Sequence, residues 1–360
     1  MATFMNIDAL KPTVLRSVAT AIDERDATLR LLNLFGFGNP EAHDGEEILL
    51  RILSRLYQTA GFQGMDSRAE VIARAGFEEV RVRALKSAKA TEPFSNSDCS
   101  LFAALERMSA SGSVDTEQFR SVQAKAAARI ASALMTVRDT SRPSFERLCR
   151  DTLLGEATYQ IDGKDVTVDF GWAALDPPAI TWDNHATALP FEDLCLALQG
   201  FEDANNGNVV THAFCSKRLW RTHLAPNASL KAAGLQNMPM AAWQAGDSAG
   251  RTVIDAKGSI QGNPWDIIWR PLEGKFTTTA GVSSDRWPIG TIVFTSEPGG
   301  APPLFKTFSP AAMMDAPQPG FNYETIERKD PYGIYMTEIG YFVPAVMDHR
   351  RTATWPVIPA

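Results

Sequence analysis

The pattern of apolar and polar residues predicts a helix-rich first half and a second half of short strands and turns. Its strongest signal is a helix beginning near Thr116, with Asp115 as a suitable N-cap, in which apolar residues recur every three or four positions. Pro143 is expected to kink or restart this helix, and Gly155 to end it. We call this segment the spine helix. Its apolar stripe comprises Phe119, Val122, Ala126, Ile130, Leu134 and Val137.

The region before the spine helix combines a further helical pattern with a charged strand. Residues 13–34 have helical spacing, whereas the apolar run 48–57 is too short and too continuous to assign to a helix or a strand. From Val80 to Lys86 apolar and basic residues alternate, which is typical of a strand with one solvated face, and residues 69–73 could supply its partner. Such a charged two-stranded ribbon buries too little apolar surface to be stable alone, so we expect it to lie against another surface.

The region after the spine helix has the pattern of short strands separated by turns. Residues 157–161 and 166–170 alternate on either side of Asp162-Gly163, which predicts a hairpin. Residues 172–360 hold 18 of the 22 prolines and all eight tryptophans, so long helices are not expected there. The remaining predicted elements are helices at 191–199 and 216–224 and strands at 209–214, 291–294, 333–340 and 341–344.

Charge and composition exclude several classes of function. The 35 basic residues are spread evenly among 42 acidic ones, and no basic patch is large enough to neutralise a row of phosphates. This distribution argues against sequence-specific nucleic-acid binding. No apolar stretch has the length of a membrane span, and the first residues do not resemble an export signal. The four cysteines are scattered without a C-x-x-C pair, which is typical of reduced thiols in a cytosolic setting.

The most specific catalytic motif is Gly246-Asp247-Ser248-Ala249-Gly250, which matches the G-x-S-x-G turn of serine hydrolases. That turn needs a preceding strand and a following helix to expose the nucleophile. Here a proline precedes the motif, a strand-like run follows it, and His349 is the sole downstream histidine that could act as a base. A soluble hydrolase that uses Ser248 is therefore an alternative function, but a surface turn is the better interpretation.

Other candidate sites have weaker support. His212, Cys215 and His223 are suitable ligand types for zinc, but they lack a fourth ligand at useful spacing, and packing roles account for them better. The pair Gly36 and Gly38 lacks the third glycine and the preceding strand of a dinucleotide site. From the residues alone, no catalytic, cofactor or metal site is predicted.

The order of these elements resembles a known family of shell proteins. A helical arm, a charged ribbon, a long spine helix running into a hairpin, an irregular domain rich in Pro and Gly, and closing strands follow one another. This order is similar to that of the major capsid proteins of lambda-type tailed bacteriophages, which have the α+β Hong Kong 97-like capsid fold. The residues that carry the resemblance are Leu29–Phe35, Tyr159–Ile161, Val166–Gly171, Trp182 with the helix at Pro190, and Asp330–Pro344.

The resemblance implies a division of the chain into named parts. The spine helix would form the core of a peripheral domain, and an axial domain would lie near the symmetry axis of each capsomer. The implied parts are an N-terminal arm at 1–45, an extended loop at 46–95, the peripheral domain at 96–175, the axial domain at 176–320, and return strands of the peripheral domain at 321–360.

The resemblance also implies a function without catalysis. Many copies would assemble into hexamers and pentamers of an icosahedral shell around double-stranded DNA, packaged without sequence specificity. Portal, scaffold and decoration proteins are the implied partners, with no membrane and no cofactor. The protein would be assembled in the host cytoplasm and reside in the virion. Its slight acidity fits this role, because a shell interior should not trap DNA by charge.

The charged ribbon is the predicted site of contact between subunits. Arg81, Arg83, Lys86 and Lys89 lie in a segment with too few apolar residues to be self-supporting. We expect the ribbon around residues 66–92 to contact a neighbouring copy, and deletion of 69–86 to leave a folded protein that no longer assembles.

Overall fold

The computed structural model describes most of the chain, with gaps. The described residues are 15, 30–37, 39–44, 47–54, 76–83, 85–91, 93–112, 117–161, 164–205, 207–232, 256–258, 267–277, 283–297, 304–311, 318–329 and 332–358. No helix within these ranges is both long and apolar enough to cross a membrane.

Helices and strands are both present, as the predicted α+β class requires. The helices are α1 (Arg30–Leu34), α2 (Asn96–Ala110), α3 (Glu117–Leu154), α4 (Pro190–Ala204), α5 (Lys217–Leu219) and α6 (Ala228–Ala232), with a π-helical turn at Trp220–Leu224 and a 3₁₀ turn at His349–Arg351. The strands are β1 (Glu41–His43), β2 (Glu47–Ser54), β3 (Gly76–Arg83), β4 (Leu85–Ala90), β5 (Glu156–Ile161), β6 (Lys164–Asp169), β7 (Ala173–Ala174), β8 (His212–Ser216), β9 (Ala256–Gly258), β10 (Ile267–Leu272), β11 (Lys275–Thr277), β12 (Ser283–Asp285), β13 (Thr291–Thr295), β14 (Phe305–Pro310), β15 (Phe321–Lys329), β16 (Tyr332–Val346) and β17 (Thr352–Pro356).

The chain separates into two compact units, each made of segments far apart in sequence. The first unit consists of 1–48, 82–146 and 306–345, and the second of 49–81, 147–305 and 346–360. Each unit has a sheet and a buried apolar cluster of its own.

The first unit is built on a sheet of five strands in the order β1-β14-β16-β15, with β4 also paired to β16. The strand β16 runs unbroken through the two segments that the sequence predicts as separate strands. Its antiparallel pairing with β4 extends from Leu85 opposite Phe342 to Ala90 opposite Thr337. Residues from both ends of the chain therefore share one sheet.

The spine helix supplies the core of the first unit. Within α3 the predicted apolar stripe is confirmed, because five of its six members are buried and Val122 packs against the same cluster. Ile130 and Leu134 lie in this cluster with Phe102 of α2 and Met336 of β16. Burying each such side chain contributes about 1.5–3 kcal/mol to folding, so the stripe is a major source of stability for this unit.

The helix α3 continues through Pro143 as a single element of 38 residues, without the restart that the sequence allows. A proline inside a helix costs about 3 kcal/mol, because it removes a hydrogen bond and crowds the preceding turn. Arg142, Phe145 and Glu146 around it are all buried in the first unit. These tertiary contacts outweigh the local preference of proline.

The end of α3 is confirmed at Gly155, which has a φ of +95°. A Cβ atom at this position would lie 2.7 Å from Cδ1 of Trp172, so both the backbone conformation and the close ring contact require glycine. The predicted hairpin follows directly, with β5 and β6 paired from Glu156–Asp169 to Ile161–Lys164.

The second unit contains a mixed sheet of six strands in the order β7-β17-β13-β8-β10-β9. The helix α4 covers it through Leu194, Leu198 and Phe201, all buried in one cluster with Phe294 and Trp355. The predicted helix after Pro190 is confirmed and extends further than expected, to Ala204.

Of the apolar run 48–57, unassigned from sequence, residues 48–54 lie in the strand β2, and residues 55–57 lie outside the described residues. The strand β2 pairs with β3 in a separate two-stranded sheet. The single strand predicted from Val80 to Lys86 is divided in the structure. Its residues 80–83 belong to β3, which begins at Gly76, and Lys86 belongs to β4, which pairs with β16. Residues 69–73, considered as its partner, lie outside the described residues.

Candidate assembly surfaces

The buried carboxylate of Glu146 anchors the described part of the N-terminal region to the spine helix. Glu146 is 1% exposed, and its two oxygens accept hydrogen bonds from the backbone N–H groups of Leu31 (3.2 Å) and Leu32 (3.0 Å) at the start of α1. A helix start has unpaired N–H groups and a positive dipole end, so a carboxylate is well suited to this place. Phe37 then packs against Phe145, with ring centroids 5.5 Å apart.

A buried ion pair fixes the spine helix to the strands that return from the far end of the chain. Nη1 of Arg142 in α3 lies 3.1 Å from Oε2 of Glu338 in β16, and the two side chains are 3% and 0% exposed. Nη2 of the same guanidinium donates to the hydroxyl of Tyr323 at 2.8 Å. The guanidinium carbon lies 3.4 Å from the ring centroid of Phe321 in β15. Together these contacts give the first unit one fixed arrangement of helix and sheet.

The four residues predicted to contact another subunit lie on two strands with different partners. Arg81 and Arg83 are in β3, whose described partner is β2. Lys86 and Lys89 are in β4, where they lie opposite Tyr341 and Glu338 of β16 in the sheet of the first unit. Their side chains lie outside the described part of the structure, so their contact with a neighbouring copy stays a prediction.

The catalytic alternative gains no support. Ser248 and the rest of its motif lie outside the described residues, as does the side chain of His349.

The three zinc-ligand candidates, His212, Cys215 and His223, have different partners in the fold. His212 contacts the hydroxyl of Thr211 at 2.9 Å, and Cys215 is fully buried, which raises the pKa of its thiol to about 12. Nδ1 of His223 lies 3.2 Å from Nε2 of His185. Across the described ranges, no three His, Cys, Asp or Glu side chains are grouped so that they could hold a metal ion.

The pair of His185 and His223 joins two segments of the second unit. Beside it, the backbone N–H of Ala228 donates to the carbonyl of His185 at 2.8 Å, and the amide of Asn227 donates to the carbonyl of Ala188 at 3.1 Å. Burial and the neighbouring His185 lower the pKa of His223, while Asp183 opposes that shift. The neutral form of His223 is therefore favoured in the folded state.

The anchoring residues Arg142, Glu146 and Glu338 were not identified from sequence. One signal was available, because Arg142 and Glu146 are four residues apart in the predicted spine helix and flank Phe145 on its apolar side. Their partners come from residues more than a hundred positions away, and spacing along the chain does not reveal such contacts.

Comparison with known proteins identifies the family. The family model described as "Phage major capsid protein E" matches residues 15–337, which is most of the chain. A search of the curated proteins gave no match.

Two solved structures have the same fold. One is a prophage protein of Escherichia coli CFT073 assigned as a capsid protein, with 14% identity, a TM-score of 0.58, and coverage of 97% of this chain and 99% of that one. The other is a phage-related protein from Bordetella bronchiseptica RB50, with 13% identity, a TM-score of 0.51 and coverage of 96% of both chains.

The expected α+β Hong Kong 97-like capsid fold is thus confirmed. The resemblance seen in the order of elements is confirmed by a family match that spans both units. Its implied role is structural, and its implied location is the virion. The chain belongs to the phage major capsid protein E family, and it is a major capsid protein of a tailed phage.

Proposed function

We propose that many copies of this chain assemble into hexamers and pentamers, and that these capsomers close into an icosahedral shell around double-stranded DNA. The observation that carries the proposal is the family match over residues 15–337, to phage major capsid proteins. The protein forms the shell through contacts between copies and catalyses no reaction.

Buried contacts hold the helices and the sheet of the first unit in one arrangement, as a shell subunit requires. The spine helix is fixed to β16 by Arg142 and Glu338, and to α1 by Glu146. Both sets of contacts are buried, so water and salt screen them less than they screen ion pairs at the surface. A subunit with such buried contacts keeps its shape when neighbouring copies bind at its edges.

We propose the following parts for the shell subunit, on the basis of the element order. Residues 46–95 form an extended loop that contains the pair β2 and β3, and this loop reaches a neighbouring copy through Arg81 and Arg83. Lys86 and Lys89 lie where the loop joins the sheet of the first unit. The other parts are an N-terminal arm at 1–45, a peripheral domain at 96–175 completed by 321–360, and an axial domain at 176–320.

The proposed partners follow from the proposed shell. Portal, scaffold and decoration proteins bind its surfaces, and DNA is packaged without sequence readout. The even mixture of 35 basic and 42 acidic residues supports this, because the chain has little net attraction for phosphates. Assembly takes place in the host cytoplasm.

Particle mass tests the proposal. Purified protein, free of tags, is analysed by multi-angle light scattering and sedimentation velocity. We expect a population in the megadalton range, together with capsomers that convert into it. A single small oligomer under every assembly condition, above all one that a serine-directed phosphonate labels at Ser248, would overturn the proposal.

A further inference from the structure

Basic side chains from four separate segments of the second unit lie together on one surface. The segments are the end of α3, the residues of α5 and the turn after it, the residues that follow β10, and the end of β12. Ion pairs, strand pairing and ring contacts connect them. We call this the basic surface, and its charged members are Arg147, Arg150, Lys217, Arg218, Arg221, Lys275 and Arg286, with Asp151, Glu273 and Asp285.

The strands β11 and β12 hold three guanidiniums of this surface near one another. The ring centroid of the buried Phe276 lies 5.3 Å from Cζ of Arg150 and 5.5 Å from Cζ of Arg286. Nη1 of Arg150 also donates to the carbonyl of Asp285 at 3.2 Å, and Nη1 of Arg218 donates to Oδ2 of Asp285 at 2.9 Å. These side chains are therefore positioned before any partner binds, which lowers the entropic cost of binding.

The carboxylates of the basic surface are too few to neutralise its cations. Two of them are each shared between two cations, Asp151 between Arg147 and Arg150, and Glu273 between Lys217 and Arg221. The surface holds seven basic and three acidic side chains, an excess of four positive charges in a chain whose net charge is −7. The rest of the chain is accordingly more acidic than the whole.

The exposed part of the basic surface is polar. The side chains of Arg147, Arg218 and Arg221 are 50%, 56% and 61% exposed. Within the described ranges, none of the exposed large apolar side chains belongs to the four segments; they are Met135, Ile180, Leu189, Leu196 and Val209. Interfaces between proteins have an apolar core, whereas interfaces with DNA are more polar and much more positively charged. The composition of this surface thus favours a nucleic acid over a folded protein.

We infer that the basic surface binds the phosphate backbone of double-stranded DNA without reading its sequence. The inference rests on the proposed function, in which the shell encloses DNA. Five of the seven cations are arginines, whose paired donors match the oxygens of a phosphate group. The acidic remainder of the chain repels phosphates, so contact with DNA is confined to this surface. The sequence does not reveal the surface, because each of its four segments contributes at most three basic residues.

The small excess of charge predicts binding that is weak and sensitive to salt. Each phosphate that a protein neutralises adds about −0.9 to the slope of the logarithm of the binding constant against the logarithm of the salt concentration. Four excess charges therefore give a slope no steeper than about −4. Contacts of this kind hold DNA against many copies without trapping it at any one of them.

A charge reversal in unassembled subunits tests the site. Binding of a fluorescent duplex of random sequence is measured by anisotropy over a range of salt concentrations. The variant Arg218→Glu, Arg221→Glu should lose about tenfold or more in affinity at low salt and about 2 from the magnitude of the slope.

The matched control is Arg120→Glu, Lys125→Glu, which makes the same change in net charge at two exposed positions of α3 in the first unit. It should change affinity much less, and melting temperature checks that both variants fold. Equal losses in the two double variants would overturn the inference, because net charge alone would then account for binding. Failure of the wild-type subunits to bind the duplex at low salt would also overturn it.

Acetylation of lysines tests the site in the wild-type protein, where folding is not altered. Lys275 is an exposed member of the basic surface, and the exposed Lys125 is the control. Mass spectrometry compares their acetylation with and without the duplex. We expect the duplex to lower acetylation of Lys275 several-fold and to change that of Lys125 little. Equal acetylation of Lys275 in the two samples would contradict the inference.

Assembly of the charge-reversal variant distinguishes DNA from a second copy of the chain as the partner. We expect Arg218→Glu, Arg221→Glu to form shells without DNA as the wild type does. Loss of shells by the folded variant would overturn the assignment to DNA and would indicate an acidic surface of a neighbouring copy. If the wild-type protein forms shells but its subunits do not bind the duplex, the inference alone fails. If it forms no shells at all, the proposed function fails, and the inference fails with it.

Discussion

A few buried charged residues determine how the first unit is held together. Arg142 and Glu338 are both inside the protein, and their contact joins the spine helix to a strand almost two hundred residues later. Among the described side chains, Oε1 of Glu338 has no hydrogen-bond partner, and the guanidinium of Arg142 is the cation that contacts this carboxylate. Removing one member of such a pair leaves an uncompensated charge in the core.

Replacing Arg142 by methionine should therefore destabilise the protein by about 3–5 kcal/mol, because Glu338 would lose its cation and Tyr323 a donor. The measurement is the free energy of unfolding of unassembled subunits in urea. Arg129→Met is the matched control, since Arg129 is 63% exposed and pairs with Asp98 at the surface. It should cost less than about 1 kcal/mol. Equal losses in the two variants would show that the buried pair contributes no more than a surface pair.

The lowered pKa of His223 predicts that the stability of the second unit depends on pH. The pKa of His223 is lowered from the ordinary value of 6.5 by burial, so its neutral form is favoured in the folded state. Stability from this group is fully present above about pH 6.5 and is lost as the pH falls through the lowered pKa. We expect the melting temperature of the subunit to fall between about pH 7.5 and about pH 5.

The variant His223→Gln isolates this contribution, because glutamine does not titrate in that range. Its melting temperature should fall less steeply with acidification than that of the wild type. Identical slopes for the two proteins would contradict the assignment and would point to the other titrating groups of the chain.

At the scale of elements, the spine helix was predictable because its apolar residues recur at helical spacing within one long, continuous segment. The stripe from Phe119 to Val137 repeats over several turns, and the structure buries it as expected. The restart of the helix that the sequence allows at Pro143 does not occur. The free-energy cost of a proline inside a helix is outweighed there by contacts with residues far away in the chain, and periodicity does not reveal such contacts. The run 48–57 could not be assigned because a short, continuous apolar segment fits a buried helix and a buried strand equally well.

The stripe itself can be tested by truncating one side chain. Leu134→Ala should destabilise the subunit by about 2–5 kcal/mol, because Leu134 is 1% exposed and lies within the core of the first unit. Met135 is the adjacent control, being 46% exposed, and Met135→Ala should change stability by about 0.5 kcal/mol or less. Thermal unfolding of both variants gives the comparison. A small effect at Leu134 would mean that the stripe is not a folding determinant.

At the scale of the whole molecule, the order of elements was more informative than any motif. A capsid protein needs no catalytic residues, so no catalytic motif indicates its function. The G-x-S-x-G motif around Ser248 has only three specified positions out of five, so it carries little information. Contacts between copies could not be located from sequence beyond the charged ribbon, since the surfaces that would meet are created by folding.

The charged ribbon is tested by reversing charge without shortening the chain. Deletion of 69–86 would also remove Leu85 and Lys86, which pair with β16 inside the subunit. The double variant Arg81→Glu, Arg83→Glu leaves that pairing in place and should yield a folded subunit that assembles poorly. The readout is the fraction of protein in particles by sedimentation, with melting temperature as the test of folding. Normal assembly of the double variant would show that these arginines do not carry the contact.

Electron cryomicroscopy of the purified, assembled wild-type protein tests the central claim most directly. We expect closed shells with icosahedral symmetry, in which rings of six and five subunits each show a long spine helix and a mixed sheet. Homogeneous small oligomers, under conditions that keep the protein folded and at every concentration tried, would contradict the account.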